Sequence, residues 1–459
     1  MMDLFAASLA MSGTATAENV PFDRVSTDSR KVLPGDLFFA LRGENFDGHE
    51  FIAAAKARGA VAAVVASGAV ERQHPADLPL IAVADTRLAL GTLAAHWRSR
   101  FTLPLIAVTG SNGKTTTKEM IASILKAFFG DAVLVTQGNF NNDIGLPMTL
   151  LRLNAGHRAA IIELGMNHPG EIAYLTAIAR PTVALVTNAQ RAHLAGMGTI
   201  DAIAAEKGSV YHGLAEGGVA VINIDDRWAD LWREQSSGRR VLSFAFERPA
   251  DVGGRFQTRG LENHLAVSAQ GEQIEVSLAL PGAHNARNAL GAVTAALAAD
   301  VPLSAVREGL LAFRGVKGRL QRVDGLQGAT LLDDTYNANP DSVRAGIDVL
   351  AATVGKKILV LGDMGEIGEM TGQFHDEVGG YAKSQGIDRL LAVGESSALA
   401  VHNFGGGGQH FKKFDDLIEA LIAELTPETT VLIKGSRYMR MERVVAAVTA
   451  NSPAAGSDQ

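Results

Sequence analysis

Short apolar runs that end in polar tips recur along the chain, separated by stretches whose apolar residues fall three and four apart. The clearest run is 105–109, Leu-Ile-Ala-Val-Thr, which stops at a glycine turn. Residues 114–129 follow with helical spacing of Met120, Ile121, Ile124 and Leu125. Residues 159–163, 183–188 and 219–225 repeat the strand pattern, with helical patterns between them. Strands alternating with helices predict a parallel sheet covered on both faces.

The same reading extends to both ends. Strand-like runs at 36–41, 61–65 and 80–83 precede a helical run at 86–98. Between 246 and 280 apolar and polar residues alternate, as in Glu275-Val-Ser-Leu278, which predicts an antiparallel meander. Pro281 and Gly282 break the chain before an alanine-rich helix at 286–299. Gly315-Val-Lys-Gly318 reads as a hinge, after which strands are expected at 330–333, 357–362, 389–394 and 430–434. The glycine run 405–408 is expected to be a flexible loop with no ligand. No repeat of 20–50 residues is evident. The prediction is three α/β domains, at 1–84, 85–316 and 317–459.

Composition narrows the class. Of 459 residues 47% are hydrophobic, ample for several cores. The 42 basic and 49 acidic residues leave a net charge of −7, which argues against a general nucleic-acid binder while leaving room for a local anion site. There is no cysteine, so disulfides, thiolate nucleophiles and cysteine-held metals are excluded. The first basic residue is Arg24, so the charged start of a signal peptide is missing. The apolar stretch 59–70, bounded by Arg58 and Glu71, is shorter than the roughly 20 residues a bilayer requires. A cytoplasmic protein without membrane insertion is expected.

The strongest chemical signal is Thr109-Gly-Ser-Asn-Gly-Lys-Thr-Thr116. It follows a strand and opens a helix, the setting of a phosphate loop. Glycines let backbone N–H groups converge on phosphate oxygens, and the helix N-terminus adds partial positive charge. Gly110, Ser111, Asn112, Gly113, Lys114, Thr115 and Thr116 are therefore expected to bind the phosphates of a nucleotide, which the resemblance given below implies is ATP. Lys114 would reach the β/γ-phosphates and Thr115 would offer its hydroxyl to Mg²⁺. Val108 stands where the first glycine of the general motif belongs. An ordinary glycine turn is the bland alternative, but strand, loop, lysine and threonine all agree. The loop alone does not separate kinase, GTPase and ligase.

Glu163 ends one strand-like run, His193 follows another, and Lys207 lies in Ala204-Ala-Glu-Lys-Gly208. Ligands of open α/β sheets bind at the carboxyl ends of strands. Glu163 and His193 suit Mg²⁺ there, with phosphate oxygens and water completing the shell. A lone His is more often structural, and Lys207 read by itself is an ammonium that Glu206 could pair.

The T-G-x-N-G-K-T form of the loop resembles the Mur ligases and the related folylpolyglutamate synthases, which use ATP to make acyl phosphates. The resemblance to the Mur ligase family covers nearly the whole chain. Val25-Ser-Thr-Asp-Ser-Arg30 and Gly43-Glu-Asn-Phe-Asp-Gly-His49 are similar to the family's uridine-diphosphate domain, which implies substrate contacts at Ser29, Arg30, Asn45 and Phe46. Gln137-Gly-Asn-Phe-Asn-Asn-Asp-Ile-Gly-Leu-Pro147 resembles the family's asparagine-rich loop, implying a substrate role for Asn141. Pro281-Gly-Ala-His-Asn-Ala-Arg-Asn288 resembles the adenine segment, with Asn288 at the base, and Gly318-Arg319 the hinge arginine on the ATP phosphates. Asp333-Asp-Thr-Tyr-Asn-Ala-Asn-Pro340 and Lys434-Gly-Ser-Arg437 resemble the C-terminal signature, with Asp334 on the ribose and Asn337 and Asn339 near the incoming dipeptide.

The resemblance implies a small N-terminal α/β UDP-binding domain, a central P-loop parallel-sheet ATPase domain and a Rossmann-like C-terminal α/β domain. It implies amide formation between UDP-N-acetylmuramoyl-tripeptide and D-alanyl-D-alanine with ATP and Mg²⁺, by a monomer. Lys114, Glu163, His193 and Lys207 would be catalytic, and Lys207 would carry a CO₂-derived carbamate that acts as a metal ligand. Four positions depart from the family pattern: Thr335 stands for serine, Gln190-Arg191 for a small residue and an acid, and Ile224 for alanine. The competing readings are the ligase that adds the third residue, whose D-N-P-R signature is replaced here by Tyr336-Asn-Ala-Asn-Pro340, and a nucleotide-dependent switch without ligation.

Overall fold

A computed structural model of the chain describes residues 1–16, 18–69 and 78–450. In the N-terminal unit a five-stranded sheet runs, edge to edge, Thr14–Ala15, Leu80–Val83, Ala62–Ala66, Asp36–Phe39 and Arg24–Ser26. It is parallel apart from the first pair. The three strands expected here are present. Val70 and Glu71, at the end of the apolar stretch, lie outside the described residues. No helix among the described residues is long and apolar enough to cross a membrane.

The helix Thr86–Arg98 forms as expected and leads into the central unit. It begins at Asp85, whose carboxylate accepts from the N–H groups of Arg87 and Leu88. This cap satisfies donors that a helix start otherwise leaves unpaired. The helix packs on the helices Gly145–Leu150 and Glu171–Ala179 of the central unit.

The central sheet has nine strands. Leu105–Thr109 sits between Ala159–Glu163 and Val183–Val186; Val133–Val135 lies beyond the first, Val219–Asn223 and Arg240–Ala245 beyond the second. The chain winds one way from Leu105–Thr109 and then the other, so the switch point falls at the carboxyl end of that strand. Successive residues serve opposite faces. Leu105 and Ala107 join the core beneath Leu90 and Leu93, while Ile106 and Val108 pack against Met120, Ile124 and Val293. Burial on both faces accounts for the unbroken apolar run.

The expected meander appears as Val252–Arg259, Glu262–Ala269 and Glu272–Leu278, antiparallel at the sheet's end. Leu265, Val267 and Ala269 point inward while Glu275 is exposed. Gly282, at φ 93°, turns the chain directly into the helix Ala283–Ala298, so this helix starts sooner than its apolar pattern suggests.

The C-terminal unit has a six-stranded sheet in the order Gln321–Asp324, Thr330–Asp334, Thr429–Lys434, Lys356–Gly362, Arg389–Val393 and Gly408–Phe411, parallel after the first pair. Leu332, Leu359 and Leu361 face one core and Leu331, Ile358 and Val360 the other. The glycine run 405–408 is a tight turn, closed by the Gly408 N–H on the Gly405 carbonyl at 2.9 Å, and feeds a strand that the sequence pattern did not suggest.

Candidate active site

A cleft of about 1050 Å³ lies between the central and C-terminal units. Its walls bring together Ser111, Asn112, Gly113, Lys114, Thr116, Asn141, Glu163, His193, Asn288, Arg319, Asp334, Asn337 and Asn339. Gly110 and Thr115 belong to the same loop but are not on the wall, and Lys207 is buried behind it. Ser29, Arg30, Asn45 and Phe46 stand apart on the N-terminal unit, where Arg30 pairs with Asp28 at 2.9 Å and Phe46 is exposed. From that unit Glu44 reaches the wall.

The loop is shaped by close approach. Gly110 has φ 146°, and a Cβ there would lie 1.8 Å from the Thr187 hydroxyl. At Gly113, φ 80°, a Cβ would meet the Asn288 side chain at 2.4 Å. Only glycine fits either place. Gly113 begins the helix Lys114–Phe129 without a side-chain cap, which leaves first-turn N–H groups for an anion. The loop is anchored from the next strand: the Ser111 N–H donates to the Asn188 carbonyl and the Asn112 N–H to Asn188 Oδ1, both at 3.0 Å.

Lys114 folds back on this loop, Nζ donating to the carbonyls of Gly110 at 2.6 Å and Ser111 at 3.3 Å. Burial lowers its pKa, opposed in part by the charge of Glu163. Glu163 is buried at the end of its strand. Its Oε1 accepts from Asn141 Nδ2 at 2.8 Å, while Oε2 has no partner. A buried carboxylate oxygen left bare needs a proton or a cation. His193 sits in the left-handed region at φ 60°, with Nδ1 3.0 Å from Glu366 Oε2. Burial lowers its pKa, so the ring favours the neutral form that a metal requires.

Lys207 is 1% exposed, and its ammonium makes no hydrogen bond or ion pair among the described residues. Glu206 is engaged elsewhere: its carboxylate accepts from the N–H groups of Gly170 and Ile172 at the start of the helix Glu171–Ala179. Burial first, and then the charge of Lys114, hold the Lys207 pKa well below its usual value. The neutral amine is the form able to add CO₂. Among the described residues no three His, Asp or Glu side chains gather as a ready-made metal group. Glu163 and His193 would therefore fit Mg²⁺ only as part of a shell completed by phosphate oxygens and water.

Across the cleft the C-terminal unit supplies cations. Arg319 lies 3.9 Å from the ring centre of Tyr336, with Nε buried and unpartnered. Asp334 Oδ2 accepts from Lys434 Nζ at 2.5 Å and Oδ1 from the Leu320 N–H at 3.2 Å, so both oxygens of its carboxylate are braced. Asn337 accepts from the Ala338 N–H at 2.9 Å. Asn339 caps the helix Pro340–Ala351 and pairs with Asn112 of the phosphate loop. Glu366 and His284 also line the cleft, and neither was singled out from the sequence. His284 was visible only as part of the adenine segment. Glu366, at φ 59° in an irregular loop, carried no signal.

This chain is similar to known proteins over almost its full length. The family models of the Mur ligase family catalytic domain, the Mur ligase middle domain and the Mur ligase glutamate ligase domain match residues 21–98, 108–296 and 318–437. The chain is 41% identical to the UDP-N-acetylmuramoyl-tripeptide–D-alanyl-D-alanine ligase of Escherichia coli strain K12, over 96% of this chain and 97% of that one. It is 33% identical to the ligase of the same name from Bacillus subtilis, over 92% of each. A crystal structure of MurF from Acinetobacter baumannii superposes with a TM-score of 0.88 at 36% identity, covering 96% of this chain and 97% of that one. MurF ligase from Thermotoga maritima in complex with ADP gives a TM-score of 0.80 at 27% identity, covering 92% and 96%. With domain matches in sequence order, a shared three-domain architecture and a glycine loop aimed at a common cleft, the chain belongs to the Mur ligase family.

Proposed function

We propose that this chain joins D-alanyl-D-alanine to UDP-N-acetylmuramoyl-tripeptide, using ATP and passing through an acyl phosphate, to give the pentapeptide precursor of peptidoglycan, ADP and phosphate. The observation that carries the reading is the placement of Lys114, Glu163 and His193 opposite Arg319, Asp334 and Lys434 across one cleft. Nucleotide phosphates and a carboxylate acceptor can be held there between two units. The near-complete similarity to ligases of this name supports the choice of substrates. The three units, 1–84, 85–316 and 317–459, are assigned to the UDP precursor, to ATP, and to the dipeptide and closure over ATP. Cytoplasmic location and a monomer complete the proposal.

The reaction is mainly positioning and charge stabilisation, as in other phosphoryl transfers. Lys114 and the N–H groups of the loop hold the terminal phosphates, and Arg319 offsets charge as the bond to the γ-phosphorus shifts to the tripeptide carboxylate oxygen. The dipeptide amine then forms the amide and phosphate leaves. Exclusion of water between the units protects the acyl phosphate from hydrolysis. Thr115, Glu163, His193 and the Lys207 carbamate would hold Mg²⁺, which would supply neutralisation of phosphate charge. The carbamate would form when the neutral Nζ of Lys207 bonds the carbon of CO₂ and releases a proton, turning a neutral amine into an anion.

The test is phosphate release from ATP with Mg²⁺ and the UDP-tripeptide, with and without D-alanyl-D-alanine. Release that needs both, with the pentapeptide seen by mass, is the expected result. Release with a shorter precursor and a free amino acid would move the assignment to another Mur ligase. Release indifferent to any acceptor would overturn ligation.

A further inference from the structure

Arg191 lies two positions before His193. It turns away from the phosphate site and enters the C-terminal unit. Its backbone N–H donates to Asp341 Oδ2 at 2.8 Å, and Nε and Nη2 donate to Asp341 Oδ1 at 3.0 and 2.7 Å. Nη1 and Nη2 donate to Glu377 Oε2 and Oε1 at 2.8 and 3.2 Å. The guanidinium lies 5.2 Å from the ring centre of Phe374, and Arg344 adds a second cation to Glu377 at 2.9 Å. One arginine of the central unit is thus gripped by two helices of the C-terminal unit, Pro340–Ala351 and Thr371–Ser384. The Arg191 side chain is 19% exposed, so solvent screens these pairs only in part. Its hydrogen bonds are the largest cause holding the Glu377 carboxyl below its usual range.

The residues beside Arg191 tie the same segment to the nucleotide side. The Gln190 N–H donates to the Ser111 hydroxyl at 2.9 Å, and Asn112 Nδ2 donates to Gln190 Oε1 at 2.7 Å. A single short segment therefore touches the phosphate loop, carries His193 and anchors the neighbouring unit.

We propose that Arg191 is a positioning residue for the ligation: its grip on Asp341 and Glu377 holds the C-terminal unit over the cleft, setting Arg319, Asp334 and Lys434 against the phosphate loop. This rests on the ligase reading above. The contacts join two separately folded units, so they exist only when those units are together and they favour that arrangement. Ligand affinity falls by the fraction of protein that is no longer closed, while saturating ligand restores closure. A planar fork serving two carboxylates is not replaced by lysine, which is a point charge.

The test uses the full chain with one spectroscopic label on each of the two units, together with steady-state kinetics. Arg191→Ala is expected to raise KM for ATP and for the dipeptide about tenfold while kcat changes less than about threefold, because saturation refills the closed state. Label distances in a non-hydrolysable ATP analogue should shift toward the open form. Raising salt should raise KM more steeply in the wild type than in the variant. Glu377→Gln, which leaves Arg191 on Asp341, should give a smaller effect, and the double variant should be non-additive. Should Arg191→Ala not fold, Glu377→Gln with Arg191→Lys carries the same comparison. Unchanged KM and distances, or fully additive variants, would overturn the proposal. Wild-type turnover that ignores the dipeptide would sink the ligase reading instead, and the label distances would still decide the role of Arg191.

Discussion

Asn339 and Asn112 meet side chain to side chain across the cleft, Asn339 Nδ2 donating to Asn112 Oδ1 at 2.7 Å and Asn112 Nδ2 lying 3.3 Å from Asn339 Oδ1. The same Asn339 Oδ1 accepts from the Ser342 N–H at 3.0 Å and starts the helix Pro340–Ala351. One amide thus serves both a helix cap and a bridge to the phosphate loop.

These two roles separate on substitution. Asn339→Asp keeps an acceptor for the cap but loses the amide donor to Asn112. Its melting temperature should stay near wild type while KM for ATP rises. Asn339→Ala loses both and should also lose about 1 kcal/mol of stability, the usual worth of a cap. Parallel thermal melts and ATP titrations would separate the two; equal loss of stability in both variants would contradict the division.

Gly113→Ala places a methyl group 2.4 Å from Asn288 Oδ1 and at φ 80°. The loop must move, and displacement of about 1 Å at such a site costs roughly 100-fold in rate. The expected outcome is a fall of that order or more in kcat/KM with ATP. Circular dichroism should remain native, because the strain is confined to one turn.

Lys207 is buried with its pKa held down, so between that lowered value and 10.5 the unfolded chain binds a proton that the folded chain does not. Stability from this group therefore falls as pH drops from 10.5 toward the folded value. Lys207→Met removes the penalty and the carbamate together. Turnover should be abolished while the melting temperature is equal to or above wild type at neutral pH. Wild-type activity should fall in CO₂-depleted buffer and return with bicarbonate. Indifference to CO₂ would remove the carbamate from the proposal.

Burial, with Lys434 and Arg287 adding repulsion, holds His284 at about 4 against its usual 6.5. The unfolded chain then takes up a proton before the folded one as pH falls, so stability is lost between about 6.5 and 4. His284→Gln should flatten that part of the melting-temperature profile relative to wild type. A parallel profile in the variant would show that the acid sensitivity has another origin.

Much of the fold was legible because its signals are local. The strand Leu105–Thr109, the loop behind it and the helix Lys114–Phe129 lie in one stretch, and burial on both faces writes them as an apolar run, a glycine turn and a period of three to four. Glu163 and His193 could be suspected because polar residues at strand ends mark ligand positions in such sheets. Short or edge elements were harder to see. Val133–Val135 and Gly408–Phe411 are too brief to show a period, and their pairing comes from neighbours distant in sequence.

The sequence by itself determined the class of the protein: an alternation that builds covered sheets, a phosphate loop that only glycine can form, and motifs that carry a family resemblance along the whole chain. It also held Arg191 in view, though only as a departure from a pattern. The tertiary structure alone decided what that arginine touches, that Glu206 caps a helix instead of pairing Lys207, and that Asn112 meets Asn339 across 227 positions. Local propensity is set by neighbours within a turn or a strand. Burial, ion pairing and the pKa of a lysine depend on what the fold brings within a few ångströms, and that is settled only when segments distant in sequence pack together.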